Sequence, residues 1–351
     1  MRPAVVKRSG AASIPALSAV TGSLYRAVLG RFRCGNPTGF DPDRLPKRQA
    51  WFTRATLPRP PRLRTVGRVT VSSRASAWVE SPLQLVCAVE YAALAGIPLR
   101  VVPRAGAAQL GATAERLREL GLPRDVEIAS PRTLPPTGTD HLVVGDAYSG
   151  VVHASIAMRM PQRVTIVDDG STSLVLPSAL DGTRALRRDG MATAISALAS
   201  SRLRALDASG DLELFSYYRL DHPALIPNRF AWLASRRAGA VAGLSGGDVV
   251  LGSAAVVDGL LSERSYTEWL SAQARGARYL PHRRETAATI TAARLLGLEV
   301  VATGLPVELS LLGASDLTVT TLPSSAADTL RIILAGSGSS IRVSAAMASA
   351  A

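Results

Sequence analysis

From about residue 68 onward, short apolar runs rich in Val, Leu and Ile alternate with stretches whose apolar residues recur at helical spacing. A short run that is apolar on both faces suits a strand buried in a parallel sheet, and parallel neighbours need a helix-length crossover between them. That alternation predicts an α/β fold of doubly wound parallel sheets. The segment RVTVSSRASAWVE holds the first strand, ending near Glu80. In SPLQLVCAVEYAALAG, Ser81 reads as a helix N-cap, Pro82 as the first helical residue and Gln84 as the reciprocal capping partner. PLRVVP, DVEIAS, HLVVGDAYSG and VTIVDDG continue the strands, with AAQLGATAERLRELG and VVHASIAMRM as helices.

After residue 172 the pattern weakens. SALDGTRALRRDG is polar, and DLELFSYYRLDHPALIPNRFAWLAS mixes aromatics with proline, which reads as an irregular connection. GLSGGDVVLGSAA then restarts the series, followed by RYLPHRRE, a helix in TAATITAARLLG, a strand in LEVVATG, a short helix in PVELSLLG, and LTVTTLPSSAADTLRIILAG as strand, turn and helix. The expected organisation is a basic, disordered tail over 1–66, a Rossmann-like unit over 67–235 that ends in the irregular connection, and a second over 236–351, with a ligand cleft between the two units.

The charge is unevenly spread. The net +13 resides in the tail, because residues 1–70 hold 14 Lys and Arg against 2 Asp and Glu, and the remainder holds 26 against 25. A near-neutral folded part argues against a nucleic-acid binder and leaves peripheral inner-membrane contact to the tail. There, Leu17, Val20, Leu24, Val28 and Phe32 recur at helical spacing beside Arg26, Arg31 and Arg33. A membrane-surface helix, a transit-like leader and a start codon placed too early are competing readings of this segment. No apolar run reaches the ~18–20 residues of a membrane span. Lys7 and Lys47 are the two lysines, so P-loop and Schiff-base chemistry are excluded beyond residue 47. Cys34 and Cys87 are too few for a disulfide framework or a zinc site, which suits a reducing cytoplasm.

Three motifs carry chemistry. Asp168, Asp169 and Gly170 follow an apolar strand, where the carboxyl ends of a parallel sheet face a ligand crevice. Such a pair can bind a cation, accept a phosphoryl group, act as a general base, or simply cap the next helix. His282 lies in YLPHRRE beside Arg283 and Arg284, a setting equipped to receive a phosphate. His222 lies in a His-Pro pair within the irregular connection, and His141 and His153 fit strand-start and helix-surface positions. Ser324 and Ser325 precede a helix, with Asp328 placed three residues after Ser325 as in a capping box; the same helix start is an anion site.

The order and wording of these pieces resemble the bacterial sialyltransferase and polysialyltransferase families of the GT-B type, glycosyltransferase family 52 and related polysialyltransferases. The resemblance is carried by ESPLQL at 80–85, GDAYS at 145–149, DDG at 168–170, LGSAAVVDGLLSERSYTEWL at 251–270, YLPHRRE at 279–285, GLPVELSLL at 304–312 and PSSAADTL at 323–330. It covers roughly residues 70–335 and leaves out the tail. It implies an enzyme of two Rossmann-like domains that moves sialic acid or a related acid sugar, with inversion, from a CMP-activated donor to a glycan hydroxyl; the expected location is the cytoplasm, with membrane association one of the readings of the tail. By the same resemblance Asp168 is the general base, His282 assists departure of CMP, and Ser324 and Ser325 hold the phosphate or the sugar carboxylate; Arg283, by its charge, joins them at the phosphate. Gly252 and Glu308 fall on the nucleotide side; Asp169, Gly170, Ser81 and Gln84 fall on the acceptor side. No metal and no cofactor is implied. In this sequence Pro281 precedes His282 and Arg283 follows it, reversing the family's His-Pro order. The alternatives are a transferase or epimerase of this fold using another nucleotide sugar, and a non-catalytic protein of the same fold.

Overall fold

The computed structural model describes residues 75–188, 193–236 and 244–344. The basic tail, its helical segment, Cys34 and the residues of the first predicted strand before Ala75 lie outside the described residues.

The first unit is a seven-stranded sheet in the order β3-β2-β1-β4-β5-β6-β7, and every neighbouring pair is parallel. Its strands are β1 (Ala75–Val79), β2 (Leu99–Pro103), β3 (Val126–Ile128), β4 (His141–Val144), β5 (Arg163–Val167), β6 (Leu212–Ser216) and β7 (Leu225–Pro227). Between them run α1 (Pro82–Ala95), α2 (Leu110–Glu119), α3 (Gly150–Met158), α4 (Leu176–Leu180) and α5 (Thr193–Ser209), with α6 (Ala231–Ser235) after the last strand. The second unit is a five-stranded parallel sheet in the order β10-β9-β8-β11-β12. Its strands are β8 (Gly247–Leu251), β9 (Arg278–Leu280), β10 (Glu299–Val300), β11 (Leu317–Thr321) and β12 (Ser340–Val343), and its helices are α7 (Glu263–Ser271), α8 (Ala287–Leu295), α9 (Val307–Ser310) and α10 (Ser325–Ile333).

In both sheets the order of strand addition reverses once, between β1 and β4 in the first and between β8 and β11 in the second, while all strands stay parallel. Ligands of open parallel sheets bind outside the carboxyl ends at such a switch point. The sequence segments ESPLQL, GDAYS, LGSAA and LPSSA begin at those four strand ends.

The region read as an irregular connection departs from that expectation. It contains α5, β6 and β7, so the parallel series continues through it and adds two strands to the sheet. Pro227 ends the edge strand, where a missing N–H costs no ladder bond. The strand in LEVVATG is shorter than its apolar run and occupies the opposite edge of the second sheet as β10.

Helix α1 explains how the units meet. It is apolar on nearly every side and starts at Ser81, whose Oγ accepts the Gln84 N–H at 3.3 Å. It ends at Gly96, where φ is 62°. A helix apolar all round must be buried all round. Its Val86 and Val89 share one core with Val79 and Val101 of the first sheet, Phe230 and Leu233 around α6, and Leu309 and Leu312 of the second unit. Each such side chain contributes about 1.5–3 kcal/mol when fully buried, and this core joins the two units. Glu90, on the same helix, accepts the Trp232 and Leu233 N–H groups at 3.1 and 2.6 Å, which caps α6. Burial pushes its carboxyl up to about 7, against the lowering effect of those two bonds.

Among the described residues no helix is long and apolar enough to cross a membrane.

Candidate functional site

The end of β5 delivers Asp168 and Asp169 into different surroundings, because successive side chains of an extended segment point to opposite sides. Asp168 is 1% exposed. One carboxylate oxygen accepts the Ser216 hydroxyl at 2.6 Å and the other the Tyr217 N–H at 2.6 Å. Burial raises its pKa to about 6, while bonds from Ser216, Ser173 and the Tyr217 backbone pull it down. Asp168 thereby ties the ends of β5 and β6 together.

Asp169 is half-buried. It accepts the Ser81 hydroxyl at 3.1 Å and bonds the Gln84 amide. Burial raises its pKa; Gln84, Ser81, Arg283 and Arg188 lower it in that order. Arg283 belongs to the second unit, so a positive charge from that sheet lies within electrostatic range of Asp169. Gly170 follows at φ 66°, and a Cβ on it would lie 3.2 Å from Ser325 Oγ. Glycine is thus needed twice, for the left-handed backbone and for the close approach of α10.

Gln84 is placed by a second glycine. Its Oε1 accepts the Glu80 N–H at 2.6 Å, and a Cβ at Gly145 would overlap its side chain outright. The reciprocal capping bond expected from Gln84 to Ser81 is therefore displaced by one residue, to Glu80. The reason is that the amide must also reach Asp169. Glu80 in turn accepts from Trp78 Nε1 at 2.9 Å, Ser149 Oγ at 3.1 Å and Arg104 at 3.2 Å. Asp146, 2% exposed, accepts the Tyr148 N–H at 2.8 Å and pairs with Arg188. Its pKa is raised to about 7, first by burial and then by Asp169.

In the second unit, Nδ1 of His282 accepts the Arg284 N–H at 3.2 Å. A neutral imidazole then carries its proton on Nε2. Burial, then Arg283 and Arg284, depress its pKa to about 4, against the opposing pull of Asp258. His282 is accordingly an uncharged hydrogen-bond donor at neutral pH; the positive charge beside it belongs to Arg283, which is exposed, and to Arg284, which pairs with Asp258.

Ser324 is the N-cap of α10, yet its side chain makes no capping bond; its Oγ lies 3.3 Å from that of Thr321. Asp328 bonds Arg331 at 2.8 Å. The capping box expected from Ser325 and Asp328 does not form, because the cap falls on Ser324 and places Asp328 beyond the third helical position.

Gly252 serves packing. A Cβ there would overlap the Glu285 carboxylate and lie 2.6 Å from the His282 nitrogen. Glu308 is 4% exposed and accepts the Thr329 hydroxyl at 2.7 Å, with burial raising its pKa. It thereby links α9 to α10.

The structure thus gathers Ser81, Gln84, Asp169, Gly170, Arg283 and Ser325 at one place, with Asp168 behind them and His282 beside Arg283. Sequence reading passed over Glu80, Asp146, Arg188 and Glu285 as individual site residues. For Glu80 and Asp146 the signal was their position at the ends of β1 and β4, on either side of the switch point. His153, read as a helix-surface residue, is fully buried, and its Nε2 bonds the Ala147 carbonyl at 2.8 Å. His222, in the β6–β7 connection, lies 3.4 Å from Asp207 of α5, away from the residues gathered here. Two surface concavities of about 250 and 550 Å³ lie at the amino-terminal edge of the first sheet, lined by residues such as Asp140, Met160, Leu206 and Asp211. They include none of the predicted site residues. Among the described residues no group of three or more His, Cys, Asp or Glu is arranged to hold a metal.

No protein-family model matches the chain, and no curated protein aligns with it significantly.

Proposed function

We propose that the chain is a GT-B-type glycosyltransferase that transfers sialic acid, or a related acid sugar, from a CMP-activated donor to a glycan hydroxyl. The observation that carries the reading is the meeting of two strand-end loops. Ser325 at the start of α10 packs against Gly170, leaving no free room for a Cβ there, and Arg283 of the second sheet lies within electrostatic range of Asp169 of the first. A carboxylate opposed by a cation, a neutral imidazole donor and a helix N-terminus suits transfer from a phosphate leaving group to a hydroxyl. The ordered resemblance over residues 70–335 supplies the donor class.

In this reading the acceptor oxygen bonds to the anomeric carbon as the bond from that carbon to the CMP phosphate breaks, which inverts the centre. The acceptor proton passes to a carboxylate, and the bonding pair leaves with the phosphate. The resemblance points to Asp168 as base. The geometry favours Asp169, since Asp168 is buried with both oxygens engaged by Ser216 and the Tyr217 N–H, whereas Asp169 is half-buried and stands on the side of Arg283 and the second unit. Arg283, His282 Nε2 and the first N–H groups of α10 would receive the developing phosphate charge. One such donor is typically worth ~2.7–4 kcal/mol in the transition state.

The test is CMP release from CMP-sialic acid by the purified full chain with a glycan acceptor present. Turnover or saturable CMP binding is expected. If neither CMP nor any CMP-activated sugar binds, the proposal fails.

A further inference from the structure

Behind His282 lies a polar network that the proposed transfer does not itself use. Glu285 Oε1 accepts the Tyr266 hydroxyl at 2.8 Å and also the Tyr279 hydroxyl, and the two phenols lie 2.9 Å apart. Its Oε2 accepts the His282 N–H at 2.6 Å. The Ser253 N–H donates to Tyr266 at 3.0 Å, which joins the end of β8 to the same network. Tyr266 and Tyr279 are almost fully buried, and the glycine at 252 leaves the volume that the Glu285 carboxylate fills. Four segments thus converge on one side chain: β9, the loop after it, the loop after β8, and α7.

We infer that Glu285 is the positioning residue of the nucleotide-phosphate site. Through the His282 N–H it fixes the turn over 282–285, and that turn presents the Arg284 N–H to His282 Nδ1 and leaves Nε2–H as the donor offered to phosphate. The inference rests on the proposed donor class for its ligand, but the tautomer it sets belongs to the protein alone. Charged or titratable groups around the ring are Arg283, Arg284, Asp258 and Glu285. The arrangement makes the His282 contribution to phosphate recognition a neutral hydrogen bond, so that contribution does not change from well above the His282 pKa of about 4 through neutrality.

Two measurements on the full chain test this, with Glu285→Gln, Glu285→Asp and the double Tyr266→Phe/Tyr279→Phe variant. The first is the 15N signature of the His282 ring. Wild type is expected to show the Nε2–H tautomer, and Glu285→Gln a mixture of both tautomers or partial protonation near pH 6. The second is binding of CMP against cytidine by calorimetry. Glu285→Gln should lose about tenfold in CMP affinity with cytidine unchanged, and Glu285→Asp should recover part of it. An unchanged ring signature in a folded Glu285→Gln protein overturns the inference, as does an equal loss for CMP and cytidine. If wild type binds neither ligand, the donor assignment fails while the ring signature still decides the role of Glu285. The tyrosine variant retains the carboxylate, so it must keep the wild-type tautomer; loss of the tautomer there would shift the positioning role from Glu285 to the phenols.

Discussion

The surroundings of Asp169 at the end of β5 and the surroundings of His282 after β9 are built on one plan with different chemistry. In each, a polar side chain passes over a glycine that has no room for a Cβ, and then holds a backbone N–H beside the functional residue. Gln84 crosses Gly145, takes the Glu80 N–H and bonds Asp169; Glu285 crosses Gly252 and takes the His282 N–H. The tie is neutral on the acidic side and a carboxylate on the histidine side. A second carboxylate against Asp169 would raise the cost of its charge, whereas an imidazole already discharged by burial and two arginines tolerates one. The difference shows how two loops of similar geometry can hold opposite protonation demands.

The largest effect separates the two acids of the first loop. Asp169→Asn is expected to lower transfer at least 100-fold, on the order of 3 kcal/mol, with CMP affinity within twofold, as read by CMP release and calorimetry. Asp168→Asn should act mainly through stability, because the new amide cannot accept from both Ser216 and Tyr217. If instead Asp168→Asn abolishes turnover in a stably folded protein while Asp169→Asn does not, the assignment reverses.

Breaking either crossing comes next. Gly252→Ala and Gly145→Ala each force a Cβ into an occupied space and should cost about 1–3 kcal/mol by urea unfolding. Only Gly252→Ala should weaken CMP binding. An equal loss of CMP from both would deny that the two loops serve different partners.

Exchanging the chemistry of the ties gives a smaller, signed effect. Gln84→Glu places a like charge beside Asp169, which also faces Asp146, Asp168, Arg188 and Arg283. The carboxylate becomes harder to ionise, so the acidic limb of the kcat/KM profile should move to higher pH. A limb unmoved or shifted down would remove Asp169 from the rate profile.

The smallest effect compares the two helix starts. Ser81 makes a capping bond and Ser324 makes none. Ser81→Ala should cost about 1 kcal/mol and Ser324→Ala less than about 0.5 kcal/mol in unfolding experiments.

Much of this was legible in the chain. Apolar runs separated by helical periodicity specified parallel sheets, and Asp168 to Gly170, His282 and Ser324 all fell at strand ends because the run lengths are short and their ends polar. Over 211–227 aromatics and prolines mask strand character; pairing against β5, which buries Leu212, Leu214 and Phe215, overrides that local signal. Ser81 and Pro82 cap α1 as read, whereas the Gln84 reciprocal bond and the Ser325–Asp328 box missed by one residue, because a cap depends on local dihedrals, which spacing alone does not specify.

The sequence by itself determined the layered α/β class, the uneven charge and the set of polar residues at the carboxyl ends, since periodicity and composition are properties of the chain. Only the tertiary structure decided which of two adjacent acids is engaged and which lies within electrostatic range of an arginine from the other sheet. It also decided that His282 is neutral, and that Gly145 and Gly252 exist to let Gln84 and Glu285 pass. Those outcomes depend on burial and on contacts between segments that lie far apart in the chain, and no local pattern encodes either.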